Sequence, residues 1–310
     1  MLSLQSSLLS FKLSEVLKIP LTNFGELGSV IRLSCSLFLL REMSLGSTVA
    51  QRLAGKTILI TGASSGIGAA TALQLAGAAN GNLKMVLAAR RTEKLNQLKN
   101  KLEGEFTGIK VLTLALDVSK YMETPDWVAA LPAEFAEIDV LVNNAGLCLG
   151  RDKVGTIQAQ DYVGMFHTNV LGLISLTNAI VPGMRARNKG DIVMLGSIAG
   201  RDPYPEGSVY CATKSAVKAF SHSLRKEVVN SKIRVIEVDP GMVETEFSVV
   251  RFKGNKDAAD SVYKGIEPLY ADDIAELITF ALTRRENTVI AETLVFCTHQ
   301  ASARDVHKEV

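Results

Sequence analysis

Short apolar runs rich in β-branched residues alternate with longer amphipathic stretches from Lys56 almost to the end of the chain. The runs are KTILIT (56–61), KMVLAA (84–89), KVLTLAL (110–116), IDVLVNN (138–144), DIVMLGS (191–197), IRVIEVD (233–239) and TVIAETLVF (288–296). Most are apolar at nearly every position, the pattern of strands covered on both faces of a parallel sheet. Between them lie segments such as TEKLNQLKNKLEGEF and ADDIAELITFALTRR, which read as helices. This rhythm predicts βαβ crossovers and an α/β, doubly wound Rossmann fold. The expected architecture is a single domain with about seven parallel strands flanked by helices. No internal repeat, low-complexity segment or linker interrupts it after residue 43.

Residues 1–42 break the pattern. They hold eight Ser, and short apolar runs are interrupted by Lys12, Glu15, Lys18, Glu26, Arg32 and Arg41. The uncharged stretch LSCSLFLL is too short to span a bilayer. Lys12 follows an apolar run instead of preceding it, unlike a secretory signal, and Glu15, Glu26 and Glu42 argue against a mitochondrial presequence. A disordered leader, or a start placed too far upstream, is expected at 1–42, with the domain proper at 43–310. The cytoplasm is the expected compartment, with the nucleus a further one. The leader keeps a mitochondrial alternative open.

At 310 residues, with 47% hydrophobic and 21% charged positions, the chain suits one large domain with a sizeable core. Its net charge of +2 is spread without a basic block, which disfavours nucleic acid and anionic membranes as partners. Cys35, Cys148, Cys211 and Cys297 form no CxxC pair, and His167, His222, His299 and His307 lack metal-ligand spacing. Reduced thiols and no metal site are expected.

Directly after the first strand comes TGASSGIG, with Gly62, Gly66 and Gly68 surrounding Ser64, Ser65 and Ile67. Glycines between a first strand and a first helix let backbone N–H groups approach a pyrophosphate at the helix N-terminus. The spacing is Gly-x3-Gly-x-Gly, not the commoner GxGxxG. At the end of the second strand, where an acid would hold the ribose of NAD, the sequence reads LAARRTEK. Arg90 and Arg91 there suit the 2′-phosphate of NADP, against the plainer reading of two solvated arginines. Asp117, with Val118 beside it, ends the third strand and suits the adenine amino group. Asn144, in NNAG, either ties strands together or contacts the cofactor.

Tyr210 and Lys214 lie four residues apart in VYCATKSAV, one helical turn along a shared face, and Ser197 precedes Tyr210 by 13 residues. Together with TGASSGIG, DV, NNAG, Asn169 in HTNV and Pro240-Gly241, this ordered set resembles the short-chain dehydrogenase/reductase family over residues 55 to about 298. The longer strings LAARR, DVLVNNAG, PGMVETEFS and NTVIAETL resemble that family's fungal NADP-dependent 3-hydroxy acid dehydrogenases, related to bacterial enzymes that oxidise serine and allo-threonine. The resemblance implies NADP as cofactor, a small 3-hydroxy acid as substrate and a soluble homotetramer.

It implies roles as well. Tyr210 moves the substrate proton, Ser197 steadies the substrate oxygen, and Lys214 tunes the phenol and holds the nicotinamide ribose. Asn169 holds a water that links Lys214 to solvent. Gly241, Val243 and Thr245 join the cofactor-binding set, and the segment after DPGMVETEF is expected to form a lid. A free phenol titrates near 10, so Lys214 and an oxidised nicotinamide are expected to favour the phenolate. Tyr204 and Tyr263 lack a lysine at the fourth position and are weaker bases. Arg201 is the candidate for the substrate carboxylate, with Arg151 beside it. Glu206, near the substrate mouth, departs from the neutral residue expected there. Two alternatives remain: NADPH-dependent reduction of another carbonyl (a ketone, sugar or acyl-thioester), or a non-catalytic NADP-binding regulator.

Overall fold

The computed structural model describes residues 49–309. The leader expected at 1–42, together with Cys35, lies outside the described residues.

Seven strands form one parallel sheet: β1 (Thr57–Thr61), β2 (Lys84–Ala89), β3 (Lys110–Ala115), β4 (Val140–Asn143), β5 (Gly190–Leu195), β6 (Ile233–Pro240) and β7 (Glu292–Val295). Their order is β3-β2-β1-β4-β5-β6-β7. The chain winds outward from β1 in one direction and from β4 in the other. The crevice between those two strands is therefore the topological switch point, where such sheets bind ligands. All five residues of β1 and all eight of β6 are buried, as in a sheet covered on both faces, although β6 also buries Arg234, Glu237 and Asp239. The last expected strand is much shorter than its apolar run, because Thr288–Ala291 precede the ladder that begins at Glu292.

Helices cover both faces. They are α1 (Gly66–Ala78), α2 (Thr92–Glu105), α3 (Thr124–Ala129), α4 (Ala159–Phe166), α5 (Leu173–Arg187), α6 (Ser208–Glu227), α7 (Glu246–Arg251), α8 (Lys256–Ser261) and α9 (Ala271–Leu282). Apolar side chains form one cluster around Ile58, Leu75, Val142 and Ile278, and a second around Leu59, Leu141, Leu176 and Val235. Adjacent residues of β1, Ile58 and Leu59, thus feed opposite cores, as the two-residue period of a strand requires. Each fully buried aliphatic side chain contributes about 1.5–3 kcal/mol. The helical run through α4 and α5 is long and apolar enough to cross a membrane, but half of its most apolar window is buried against the protein. Leu173, Leu176, Ile180 and Met184 account for that burial as core residues.

Candidate active site

The glycine loop joins β1 to α1 at the switch point. Gly62 has φ +66°, and a Cβ there would lie 2.8 Å from Asn144 Nδ2. Glycine is needed twice over, for the left-handed backbone and for the close approach. Asn144 Nδ2 donates to the carbonyls of Thr61 at 2.8 Å and Gly62 at 3.3 Å, so this side chain ties β4 to the loop while lining the cleft. Gly68 packs against the same amide.

Helix α1 starts without a side-chain cap and without an acid in its first turn. Its N-terminal N–H groups and dipole are thus directed at the cleft beside Ser64, Ser65, Gly66 and Ile67, an arrangement that fits a pyrophosphate. Arg90, Arg91, Asp117 and Val118 line the same end. Arg91 Nη2 donates to Ser65 Oγ at 2.7 Å and Ser64 Oγ at 3.1 Å, while its Nη1 donates to Glu246 at 2.7 Å. Lys94 holds the other Glu246 oxygen at 2.6 Å. These hydrogen bonds hold the Glu246 carboxyl down at about 2, Lys94 first and Arg91 second. Cations and hydroxyls therefore already converge on an anion, the Glu246 carboxylate, at the end of the cleft lined by Arg90 and Asp117.

The catalytic end is built by β5, the turn after it and α6. At Gly200 a Cβ would lie 2.8 Å from the Lys214 backbone, so the glycine lets the Ile198–Gly200 turn press onto α6 and brings Ser197 to Tyr210. Ser197 Oγ accepts the Ala199 N–H at 3.1 Å, and its own N–H donates to Asp239 Oδ1 at 3.0 Å. Tyr210 is 8% exposed and packs against Phe247 at 5.7 Å between ring centroids. Lys214 Nζ lies 5.9 Å from the Tyr210 ring centroid and donates to the Leu195 carbonyl at 2.7 Å.

Burial pushes the Tyr210 phenol well up, with Cys148 and Tyr204 adding to it and the Ser197 hydroxyl pulling the other way. The expectation that a neighbouring ammonium brings this phenol down is not met by the polypeptide alone. Desolvation outweighs it, and burial also pulls Lys214 down to about 8, weakening the cation.

Asn169 sits in a π-helical segment, His167–Gly172, between α4 and α5. Such a segment inserts a wider turn, and here it aims the amide at the loop after β4. Nδ2 donates to the Leu147 carbonyl at 2.7 Å and to Thr213 at 3.1 Å, and Oδ1 accepts the Leu147 N–H at 2.8 Å. The side chain fixes that loop against α6, with Gly146 beside both Asn169 Oδ1 and Lys214 Nζ.

Arg201 does not face the cleft. Its guanidinium pairs with Asp239 and Glu292, and through Asp239 it steadies the Ser197 backbone. It is a positioning residue, and the substrate-carboxylate role expected of it is withdrawn. Its two carboxylate partners lie on β6 and β7, which outcompete a small solute for the fork. Arg151 lines the cleft but pairs with Glu206, so the unexpected acid at 206 neutralises that cation.

The segment after β6 folds over the cleft as α7 and α8. Gly241, Val243 and Thr245 line it, and Thr245 caps α7 by accepting the Phe247 N–H at 3.3 Å. The Tyr263 hydroxyl donates to the Val243 carbonyl at 2.8 Å and bonds Ser248 at 2.6 Å, a structural anchor for this flap. Sequence reasoning missed four contributors: Asp239, Glu246, Phe247 and Arg251. The only local signal was their place in and just after the sixth strand. The glycine loop, Arg90, Arg91, Asp117, Ser197, Tyr210, Lys214 and the α7 flap line one cleft of about 740 Å³, while Asn169, Asp239 and Arg201 support it from behind.

The family model for short chain dehydrogenase matches residues 56–256. The chain is 55% identical over 258 residues to an NADP-dependent 3-hydroxy acid dehydrogenase of Schizosaccharomyces pombe, covering 83% of this chain and 98% of that one. It is 41% identical over 222 residues to a serine 3-dehydrogenase of Agrobacterium fabrum, covering 72% and 86%. Among solved structures it is similar to the closed form of serine dehydrogenase complexed with NADP+, with a TM-score of 0.74 and 35% identity over 82% of this chain and 100% of that one.

Proposed function

The chain belongs to the short chain dehydrogenase family, and on that premise we propose that it moves hydride between NADP and C3 of small 3-hydroxy acids. The substrate class comprises serine, allo-threonine, 3-hydroxyisobutyrate and 3-hydroxypropionate. The observation that carries the reading is the single cleft itself. A phosphate cradle of Gly62, Ser64, Ser65 and Arg91 stands at one end, and Ser197, Tyr210 and Lys214 stand at the other. NADP, when bound, supplies the hydride acceptor or donor and, in its oxidised form, a positive charge beside the phenol.

The residues divide the remaining work. Ser197 donates a hydrogen bond to the substrate oxygen as charge develops there. Tyr210, kept neutral by burial, donates its proton in carbonyl reduction; in oxidation it would take the alcohol proton as the phenolate, the form that the positive charges of Lys214 and oxidised NADP would favour. Lys214, whose Nζ is held by the Leu195 carbonyl in the cleft wall, would hold the cofactor ribose, and Asn169 holds the neighbouring loop in register. Steady-state assays with NADP and a panel of these acids test the reading, and no turnover with any of them would sink it.

Assembly into a homotetramer in the cytoplasm is part of the same proposal. Supporting observations are Tyr162, Val163 and Phe166, exposed together on α4, the open edge strand β7 with Leu294 exposed, and the exposed Phe280 of α9. Cys148, Cys211 and Cys297 are free thiols, as a reducing compartment keeps them. Native mass and subcellular fractionation test these points.

A further inference from the structure

Four arginines surround the catalytic half of the molecule, and their environments differ. Arg201 is bound to Asp239 and Glu292, and Arg151 to Glu206. Arg304 lines the cleft in an exposed position, where water competes for its donors. Arg251 is the last residue of α7 and is half-buried in the cleft wall.

Among the described residues no acidic side chain lies within ion-pair range of Arg251. Its Nη1 donates to the Tyr204 hydroxyl at 3.2 Å, its guanidinium lies 5.6 Å from the Tyr204 ring centroid, and its buried Nε has no hydrogen-bond partner. The Arg251 carbonyl accepts the Gly150 N–H at 2.9 Å, which pins the end of α7 to the loop after β4. The acids nearest its guanidinium, Tyr204, Tyr210 and Cys148, are all kept neutral, and burial holds the Cys148 thiol up at about 11. A permanent cation with an unused buried donor and no carboxylate within ion-pair range is costly unless an anion completes it.

We infer that Arg251 is the group that reads the acid end of the substrate, gripping the carboxylate while the C3 hydroxyl rests on Ser197 and Tyr210. A 3-hydroxy acid places one carbon between its carboxylate carbon and its reacting carbon. It is therefore a short dianchor, suited to a guanidinium and a phenol that line the same pocket. The planar fork holds a carboxylate through two parallel donors, which fixes which face of C3 meets the cofactor. Because the reader sits on the flap, binding of the acid also holds the flap down. This inference rests on the substrate class proposed above.

The test compares 3-hydroxypropionate with its methyl ester, which keeps the alcohol and loses the charge. In the wild-type protein the acid should exceed the ester in kcat/KM by about 30-fold or more, as for a buried charge-assisted contact. Arg251→Met should collapse that ratio by about the same factor, through KM for the acid, while NADPH still binds. Arg251→Lys should keep part of it, since it retains the charge without the fork. Equal use of acid and ester by the wild type, or an unchanged ratio in Arg251→Met, overturns the inference. If Arg251→Met no longer binds NADPH, an unchanged ratio in Arg251→Lys overturns it and a severalfold loss supports it. Absence of turnover with every 3-hydroxy acid overturns the substrate class and this inference together. Turnover with an unchanged ratio overturns this inference alone.

Discussion

Lys214 sits one helical turn beyond Tyr210 on α6, with its Nζ 5.9 Å from the phenol ring centroid and committed to the Leu195 carbonyl at 2.7 Å. The two residues share a face, as their spacing predicts, yet burial drives both toward neutrality. Tyr210→Phe removes the one group positioned to move the substrate proton. It should lower kcat by at least about 10²-fold with NADPH affinity kept within severalfold, read by steady-state kinetics and fluorescence titration. Retention of a tenth of the rate would reject the assignment.

Burial lowers Lys214 from 10.5 to about 8. Between those values the unfolded chain binds a proton that the native protein does not, so this group's contribution to stability rises with pH across that window. Below pH 8 the buried ammonium is a standing cost, on the order of 3 kcal/mol. Lys214→Met should therefore gain stability relative to wild type at pH 7, and the gain should fade as pH approaches 10.5. Urea unfolding of both proteins at pH 7 and 10 measures the difference. A pH-independent difference would contradict the burial argument.

Arg91 is shared between the loop serines and Glu246, a carboxylate that would compete with a 2′-phosphate for the same guanidinium. Arg91→Ala should raise KM for NADP by about 10-fold or more while changing that for NAD less, because only NADP loses a charge-assisted contact. Glu246→Gln should act in the opposite direction. It removes a competing anion, so NADPH should bind severalfold tighter at low salt, with a smaller gain at high salt because the site is exposed. An unchanged NADP/NAD preference in Arg91→Ala would remove it from the recognition set.

Gly62→Ala tests the cradle. The new methyl group meets Asn144 Nδ2 at 2.8 Å on a backbone with φ +66°. A cost on the order of 1–3 kcal/mol in stability is expected from the strained backbone, together with weakened NADPH binding as the loop shifts. Thermal unfolding and cofactor titration check both, and wild-type values in the two assays would show that the close approach is dispensable.

Much of the fold was legible in the chain because its signals are local. β2 matches its apolar run, KMVLAA, residue for residue; four further strands fall within their runs, and β5 and β6 overrun theirs by one residue, Gly190 and Pro240. The glycine loop, NNAG, Ser197, Tyr210 and Lys214 line one cleft because each follows a strand at the same edge of a parallel sheet. Asn169 was legible as a residue but not as a geometry. Its π-helical turn and its grip on Leu147 depend on packing between α4, α6 and the loop after β4.

The order of the chemistry along the chain was set locally: phosphate cradle first, arginines next, then the serine after the fifth strand, and the tyrosine and lysine on the helix that follows. Periodicity and turn chemistry act over a few residues and survive without long-range information. Tertiary structure alone decided which charges are spent and which are free. Arg91 meets Glu246 across 155 positions and Arg201 meets Glu292 across 91, so no local pattern announces either pairing. Arg201 stands close to Ser197 in sequence and is consumed behind it, while Arg251, 54 positions from Ser197, opens onto the cavity beside Tyr210. A half-buried guanidinium keeps its full charge for a ligand where the folded chain brings it no carboxylate, and that is a property of the assembled layers.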